Sequence, residues 1–321
     1  MRELKALVTG INGFAGSHLA EYLLSEGVEV FGMLRPGRSI AKIGSLSYAI
    51  TLYEVDLTEA LEVAKVIKEI KPDLIFHLAA QAAVGRSWED PQGTLTNNII
   101  GQLNVLQAVI AADIDPKILI LGSKDEYGML YPEELPIKEE NPLRPTNPYG
   151  VSKVAQDMMG YQYFLSHGLG CVRVRPFNHL GSRQGEEFVV PSFAKQVAEA
   201  EAGLREPVLR VGNIEVKRDF TDVRDMVRGY YLALLEGEPG EVYNIGSGTM
   251  TPLRSVLDFF LNHSKVALFV EQDPSRLRPG EVMESVCDYS KFRAKTGWQP
   301  EIPLEQTLDE VLEYWRKRMK E

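Results

Sequence analysis

The 321-residue sequence predicts an α/β fold, a doubly wound parallel sheet with a smaller α/β part after it, on three observations. Short apolar runs alternate with helical periodicities through the first half of the chain. The first of these runs ends in a glycine-rich turn. The runs are continuously apolar and do not alternate with polar residues, as expected of strands covered on both faces.

Taken in order, residues 5–10 (KALVTG) form the first strand, and 14–25 have helical spacing through Leu19, Tyr22 and Leu23. VEVFGML (28–34) is the second strand, ITLYEVD (50–56) the third, and a helix runs from about 58 to 70. DLIFHLAA (73–80) is the fourth strand; a long helix from about 91 to 112 then leads to KILILGS (117–123). Three helix starts place a capping side chain before a proline suited to the first helical position: Asp90-Pro91, Asn147-Pro148 and Thr251-Pro252. After about residue 178 the pattern loosens into helices near 188–202, 223–235, 252–262 and 304–319, with short strands such as PVLRVG and VALFVE between them. The expected division is a Rossmann-type sheet domain over 1–177, with returning segments at about 215–245, and a smaller substrate-binding domain from 178–214 and 246–321.

The formal net charge of −10 argues against broad nucleic-acid binding, although a few arginines in a cleft can still hold a small anion. No apolar run approaches the ~20 residues of a membrane span, and the N-terminal residues lack the pattern of a secretory leader. Cys171 and Cys287 are the two cysteines, and neither has a second ligand type at metal spacing. The expectation is a cytoplasmic, reduced setting without a metal.

The first strand runs into Thr9-Gly10-Ile11-Asn12-Gly13-Phe14-Ala15-Gly16. Gly10 permits a tight turn, Gly13 lets backbone approach a pyrophosphate, and Gly16 lets the helix pack close to the sheet. The phosphates then meet the free N–H groups of the helix N-terminus. The spacing is GxxGxxG, which departs from the usual GxGxxG dinucleotide pattern. The second strand ends Leu34-Arg35-Pro36-Gly37-Arg38 with no acid for a ribose 2′-hydroxyl. Arg35, and after it Arg38, suits a 2′-phosphate, so NADP(H) is expected over NAD(H), which stays open. Asp56 and Leu57 end the third strand within reach of the adenine. Leu78, Ala79 and Ala80 end the fourth, where small residues leave room for ribose and pyrophosphate.

Tyr149-Gly150-Val151-Ser152-Lys153 lies just inside the helix capped by Asn147, with Tyr149 and Lys153 on one face. A tyrosine with its ordinary pKa of about 10 is a poor acid–base at neutral pH. A lysine cation and an oxidised nicotinamide lower that value. Ser123 ends the strand KILILGS at the carboxyl edge of the sheet, where such folds bind ligands. Taken singly these residues are common; their order along the chain points to hydride-transfer chemistry.

With these motifs the chain resembles the extended short-chain dehydrogenases/reductases over nearly its whole length, and within them the branch that handles GDP-mannose derivatives. HLAAQAAVGRSWEDP, NNIIGQLNVLQA, GSKDEYG, RPTNPYGVSK, RVRPFNHLG, VGNIEVKRDF and RLRPGEV carry the resemblance. It implies catalytic roles for Ser123, Tyr149 and Lys153, with Lys153 also on the nicotinamide ribose. It implies that Pro176 lines the nicotinamide and that Asn98 lies in the segment organising the active-site helix. Asn178, Lys195, Arg218, Arg278 and Glu281 fall where a GDP-sugar is bound, and Ser87, Asp125, Glu126 and Val190 complete the expected substrate contacts. Guanidinium forks match diphosphate oxygens well.

Two reactions are compatible with the resemblance. A 4,6-dehydratase needs a further acid–base group, a glutamate two residues after the catalytic Ser/Thr; a 4-ketoreductase does not. Here Asp125 holds that place, one methylene shorter, and Ser123 replaces the dehydratases' threonine. The expectation is therefore reduction of GDP-4-dehydro-6-deoxy-D-mannose to GDP-D-rhamnose, with GDP-mannose 4,6-dehydratase as the alternative. No cysteine lies between Ser123 and Tyr149, against an epimerase-reductase, and His179 is read as a pocket-lining residue. A silent cofactor-binding regulator is disfavoured by the intact YxxxK pair. A homodimer is expected through the helices at about 91–112 and 148–166. Their apolar residues Val105, Leu106, Val109, Met158 and Met159 exceed one buried stripe, although two-sided core helices give the same pattern.

Overall fold

The computed structural model describes residues 4–277 and 281–320, apart from the Ser45 side chain. The first half alternates as expected: β1 (Lys5–Thr9), α1 (Phe14–Ser25), β2 (Glu29–Leu34), β3 (Ile50–Glu54), α2 (Ala60–Ile70), β4 (Leu74–His77), α3 (Val84–Glu89), α4 (Pro91–Leu95), α5 (Gly101–Ala111), β5 (Lys117–Leu121), α6 (Pro148–His167) and β6 (Gly170–Pro176). The second half follows with β7 (Asn178–Leu180), α7 (Val189–Glu201), β8 (Val208–Val211), β9 (Lys217–Asp222), α8 (Val223–Glu236), β10 (Val242–Ile245), β11 (Met250–Pro252), α9 (Leu253–Asn262), β12 (Phe269–Gln272), α10 (Ser290–Thr296) and α11 (Leu304–Arg318).

Seven strands form one parallel sheet in the order β10-β6-β5-β4-β1-β2-β3. The chain winds outward from β1 to β3, then returns to β4 and winds the other way. The carboxyl ends of β1 and β4 therefore diverge into a crevice, the place where ligands bind in such sheets. Both faces are covered. Leu19, Leu23, Met226 and Tyr230 pack on one face, and Val63, Ile67, Leu106 and Val109 on the other. A third core, around Phe193, Leu257, Phe260 and Leu312, joins α7, α9 and α11 beyond the large sheet. A three-stranded sheet, β11-β9-β7, lies between these layers in sequence.

The stretch at about 215–245 divides in a way the sequence did not suggest. β9 pairs with β7 and β11, whereas only α8 and β10 join the large sheet. Phe292 and Trp298, far along the chain, are fully buried in the core of that sheet. The Trp298 indole donates to the Asp225 carbonyl at 3.0 Å.

Two of the three expected caps are present. Asp90 accepts from Gly93 N and Asn147 from Gly150 N, each at 2.8 Å. Thr251-Pro252 is a correction. These residues pair antiparallel with β9, Pro252 is extended with ψ 131°, and α9 begins at Leu253 without a side-chain cap. A proline at a sheet edge keeps its place because its missing N–H faces away from the ladder. The long helix expected from 91 to 112 is broken by a π-helical turn at Thr96–Ile100 between α4 and α5. Val105, Leu106 and Val109 are core residues with no exposed surface, so they supply no surplus apolar face; Met158 does, being 41% exposed. Among the described residues, no helix is long and apolar enough to cross a membrane.

Candidate active site

The glycine turn fits the crevice between β1 and β4. Gly10 has φ +70°, and a Cβ there would lie 2.8 Å from Ala79 Cα. A Cβ on Gly16 would collide with the Gly10 carbonyl oxygen, so the start of α1 reaches the turn only as glycine. Gly13 N donates to Gly10 O at 2.8 Å, closing the loop. Ala79 N donates to Thr9 Oγ1, which lets Leu78, Ala79 and Ala80 leave β4 alongside β1. Phe14, Ala15 and Asn12 line the same turn. The Asn12 amide donates to Ser39 O and the Phe14 ring stacks on His179, 5.8 Å between centroids. These features suit the backbone approach of a dinucleotide.

Arg35 sits at the outer end of the crevice. Its Nε lies 3.1 Å from Asp56 Oδ2 and its Nη2 donates to Asn97 Oδ1 at 2.7 Å. Arg38 is exposed in the same loop. Burial works against the charge on Asp56, but hydrogen bonds from Thr58 and the Arg35 guanidinium hold its carboxyl below the usual range. The neighbouring Leu57 carbonyl accepts from Asn104.

Ser123 follows β5 and caps the turn Lys124–Glu126. Its hydroxyl accepts from Asp125 N at 3.1 Å and donates to Asp125 Oδ2 at 3.2 Å. Lys124 Nζ stands 3.5 Å from the other Asp125 oxygen. Tyr149, in the first turn of α6, hydrogen-bonds Ser123. One turn on, the buried Lys153 donates to Leu121 O at 2.7 Å and lies 5.8 Å from the Tyr149 ring centroid. The structure thus brings Ser123, Tyr149 and Lys153 together.

The electrostatics differ from the sequence expectation. Burial, then the Asp125 carboxylate, push the Tyr149 hydroxyl above its ordinary value, and the Ser123 hydrogen bond opposes them only in part. The protein's own groups therefore keep this tyrosine protonated, the state a proton donor needs. Burial lowers Lys153 from 10.5 to about 8, with Glu126 opposing.

Asn98, in the π-helical turn, is fully buried. Its amide donates to Ser152 Oγ at 2.9 Å and exchanges bonds with the Gln81 backbone. It ties α6 to the chain leaving β4, and all its polar atoms are engaged inside the protein. Pro176 ends β6, and the next residues turn into the crevice. Asn178 Oδ1 is buried there without a hydrogen-bond partner among the described residues, an orphan acceptor of the kind a ligand satisfies.

The remaining expected substrate contacts fare unequally. Arg218 and Glu281 face each other at 3.7 Å, and Arg218 also donates to Met283 O. Lys195 pairs with Glu186 and Glu199. Arg278 lies outside the described residues. Three further expected contacts are deeply buried and engaged within the protein. Ser87 is fully buried and donates to Val84 O of its own helix. Val190 belongs to the third hydrophobic core. Glu126 has no exposed surface; it turns away from Ser123's hydroxyl toward Arg175 and Asp157.

Sequence reasoning missed two buried groups behind the site. One is the chain Thr9–His77–Gln156, in which His77 Nδ1 lies 3.0 Å from Thr9 Oγ1 and His77 Nε2 3.4 Å from Gln156 Nε2. The other joins Glu126, Asp157, Arg173 and Arg175. Only one signal was available for the latter: Asp157 continues the i, i+4 spacing of Tyr149 and Lys153.

A parallel sheet with a glycine turn at its switch point and a Ser–Tyr–Lys group over the next strand defines a short-chain dehydrogenase/reductase of the extended, nucleotide-sugar type. The family model for GDP-mannose 4,6 dehydratase matches residues 7–311. The chain belongs to that family. It is 35% identical over 317 residues to GDP-6-deoxy-D-mannose reductase of Pseudomonas aeruginosa, covering 99% of each chain. To GDP-mannose 4,6-dehydratase of Yersinia enterocolitica it is 30% identical, over 96% of this chain and 92% of that one. Among solved structures, RMD from Pseudomonas aeruginosa complexed with NADPH superposes with a TM-score of 0.85 at 34% identity, covering 98% of this chain and 99% of that one.

Proposed function

We propose that this protein is a nucleotide-sugar 4-ketoreductase that converts GDP-4-dehydro-6-deoxy-D-mannose to GDP-D-rhamnose. The observation that carries the choice is the placement of the two acids after Ser123. Asp125 is short and occupied by the Ser123 hydroxyl and Lys124. Glu126 is buried and faces away. Neither offers the free glutamate that elimination across C5 and C6 requires. Similarity to the Pseudomonas aeruginosa reductase supports the same reading.

The cofactor is a nicotinamide dinucleotide, which when bound supplies the hydride. Gly10, Gly13 and Gly16 leave its pyrophosphate room against the backbone. Arg35, with Arg38 behind it, gives a 2′-phosphate its counter-charge, so we assign NADP(H) as the preferred form. Tyr149 donates the proton to the forming C4 alkoxide, and Ser123 and Tyr149 hold that oxygen as charge develops. Lys153 binds the nicotinamide ribose in this reading and steadies the tyrosine after it has given up its proton. Arg218 and Lys195 meet the diphosphate, and Asn178 Oδ1 accepts from the ligand. In this assignment the large sheet carries the cofactor, and the part built on α7, α9 and α11 carries the GDP-sugar. A homodimer would use the exposed face of α6, where Val151, Met158, Tyr161 and Leu165 are uncovered; sedimentation tests it.

One pair of incubations decides the reaction. NADPH oxidation with the 4-keto sugar, and no change in GDP-mannose alone, is the expected result. Loss of water from GDP-mannose without added cofactor would make the protein the dehydratase.

A further inference from the structure

One buried ionic cluster takes no direct part in the reduction. Glu126, Asp157 and Arg175 are 0%, 0% and 3% exposed. Arg175 Nε donates to Asp157 Oδ2 at 2.6 Å and stands 3.1 Å from Glu126 Oε2. Glu126 Oε1 accepts the Ser123 backbone N–H at 2.7 Å, its Oε2 has no hydrogen-bond partner among the described residues, and burial, then the nearby Asp157 carboxylate, push its carboxyl well above the usual range. Arg173 bonds the far oxygen of Asp157, and Arg175 reaches Tyr127 OH at 3.0 Å. Gly122 leaves the space, since a Cβ there would strike Glu126 Oε1.

The cluster joins three pieces of chain. Glu126 belongs to the turn that carries Ser123. Asp157 lies on α6 in the series Tyr149, Lys153, Asp157, which shares one helix face. Arg175 lies near the end of β6 between them. A buried ionic group of this kind is a weak source of stability, because desolvation offsets much of the attraction. Its geometry is specific, however, and it spans the turn and the helix whose separation places the Ser123 hydroxyl against Tyr149.

We propose that Glu126 is a positioning residue: buried against the Arg175 guanidinium that Asp157 orients, it fixes the Ser123 backbone, and so sets the register between Ser123 and the Tyr149–Lys153 face of α6. The proposal rests on the ketoreductase reading. It gives the glutamate of this turn a role in alignment, in a place where it cannot reach a sugar.

The test uses the full-length enzyme with NADPH and the 4-keto sugar. Glu126→Leu should stay folded, bind NADPH normally and lose ~10²-fold in kcat, the scale of an ångström's misplacement. Glu126→Gln, whose amide oxygen still accepts the Ser123 N–H, should recover most of that loss. The decisive measurement is the double variant. If Glu126 acts through Ser123, Glu126→Leu costs less than about threefold further in a Ser123→Ala background, since groups acting as a unit are not additive. Full multiplication of the two losses, or an unchanged kcat in Glu126→Leu, overturns the proposal. If Glu126→Leu does not fold, Arg175→Lys replaces it in the same cycle. Wild type inert towards the keto sugar sinks the ketoreductase assignment instead, and the cycle is then read on the elimination of GDP-mannose, which uses the same serine and tyrosine.

Discussion

Tyr149 holds its proton more tightly than a free tyrosine because it is buried beside Asp125. That suits a group whose task is to give the proton to an alkoxide. Tyr149→Phe should lower turnover by ~10³-fold, within the range for losing a general acid, and leave the NADPH dissociation constant within about threefold. Single-turnover NADPH oxidation and a fluorescence titration measure the two. Lys153 sets an upper pH limit. Its cation is populated below about 8 and lost above it, so kcat/KM should fall as pH rises through that value. A flat profile from pH 7 to 9.5 would remove Lys153 from the mechanism. His77 acts on stability. Burial, then Lys153, lowers it from 6.5 to about 3. The folded protein therefore binds fewer protons than the unfolded chain between these values. Stability from this residue is complete above about pH 6.5 and declines as pH falls, by about 1.4 kcal/mol per unit. His18, lowered to about 4, adds a change of the same sign. Urea titrations at pH 7.5 and 5.5 should show the drop.

At the scale of elements, the glycine turn and the cap of α6 were legible because each satisfies a local rule. The turn needs φ above zero at Gly10 and no side chain at Gly16. The cap needs a side-chain oxygen that accepts the N–H two or three residues further on, as Asn147 does from Gly150. Gly16→Ala should weaken NADPH binding at least tenfold, because its Cβ must displace the Gly10 carbonyl and with it the pyrophosphate cradle; isothermal titration measures it. Thr251-Pro252 satisfied the same cap pattern yet became strand, since pairing with β9 is a long-range contact that no local spacing announces. The π-helical turn around Asn98 was invisible for a related reason. It exists because Asn98 finds Ser152 and Gln81, which are distant in the chain.

For the molecule as a whole, the chain ends do not respect the expected boundary. Trp298 comes from the second part but is fully buried against the large sheet, with Phe292 beside it. The two parts should therefore unfold in one transition. Trp298→Ala should cost about 3–5 kcal/mol, the usual penalty for emptying a buried aromatic site. Urea unfolding followed by fluorescence and by circular dichroism tests both statements, and non-coincident curves would separate the parts.

What the residues alone determined was whatever depends on neighbours in sequence: the strand–helix alternation, the glycine turn, the i, i+4 pair of Tyr149 and Lys153, and Ser123 at a strand end. Tertiary structure decided what depends on which surface a residue faces. It turned Glu126 inward, while its neighbour Asp125 stayed beside the Ser123 hydroxyl. It buried Ser87 against its own helix, placed Val190 in the third core and brought Trp298 back to the first sheet. Burial and long-range partners set these outcomes. Neither is encoded in the spacing of residues along a strand or helix.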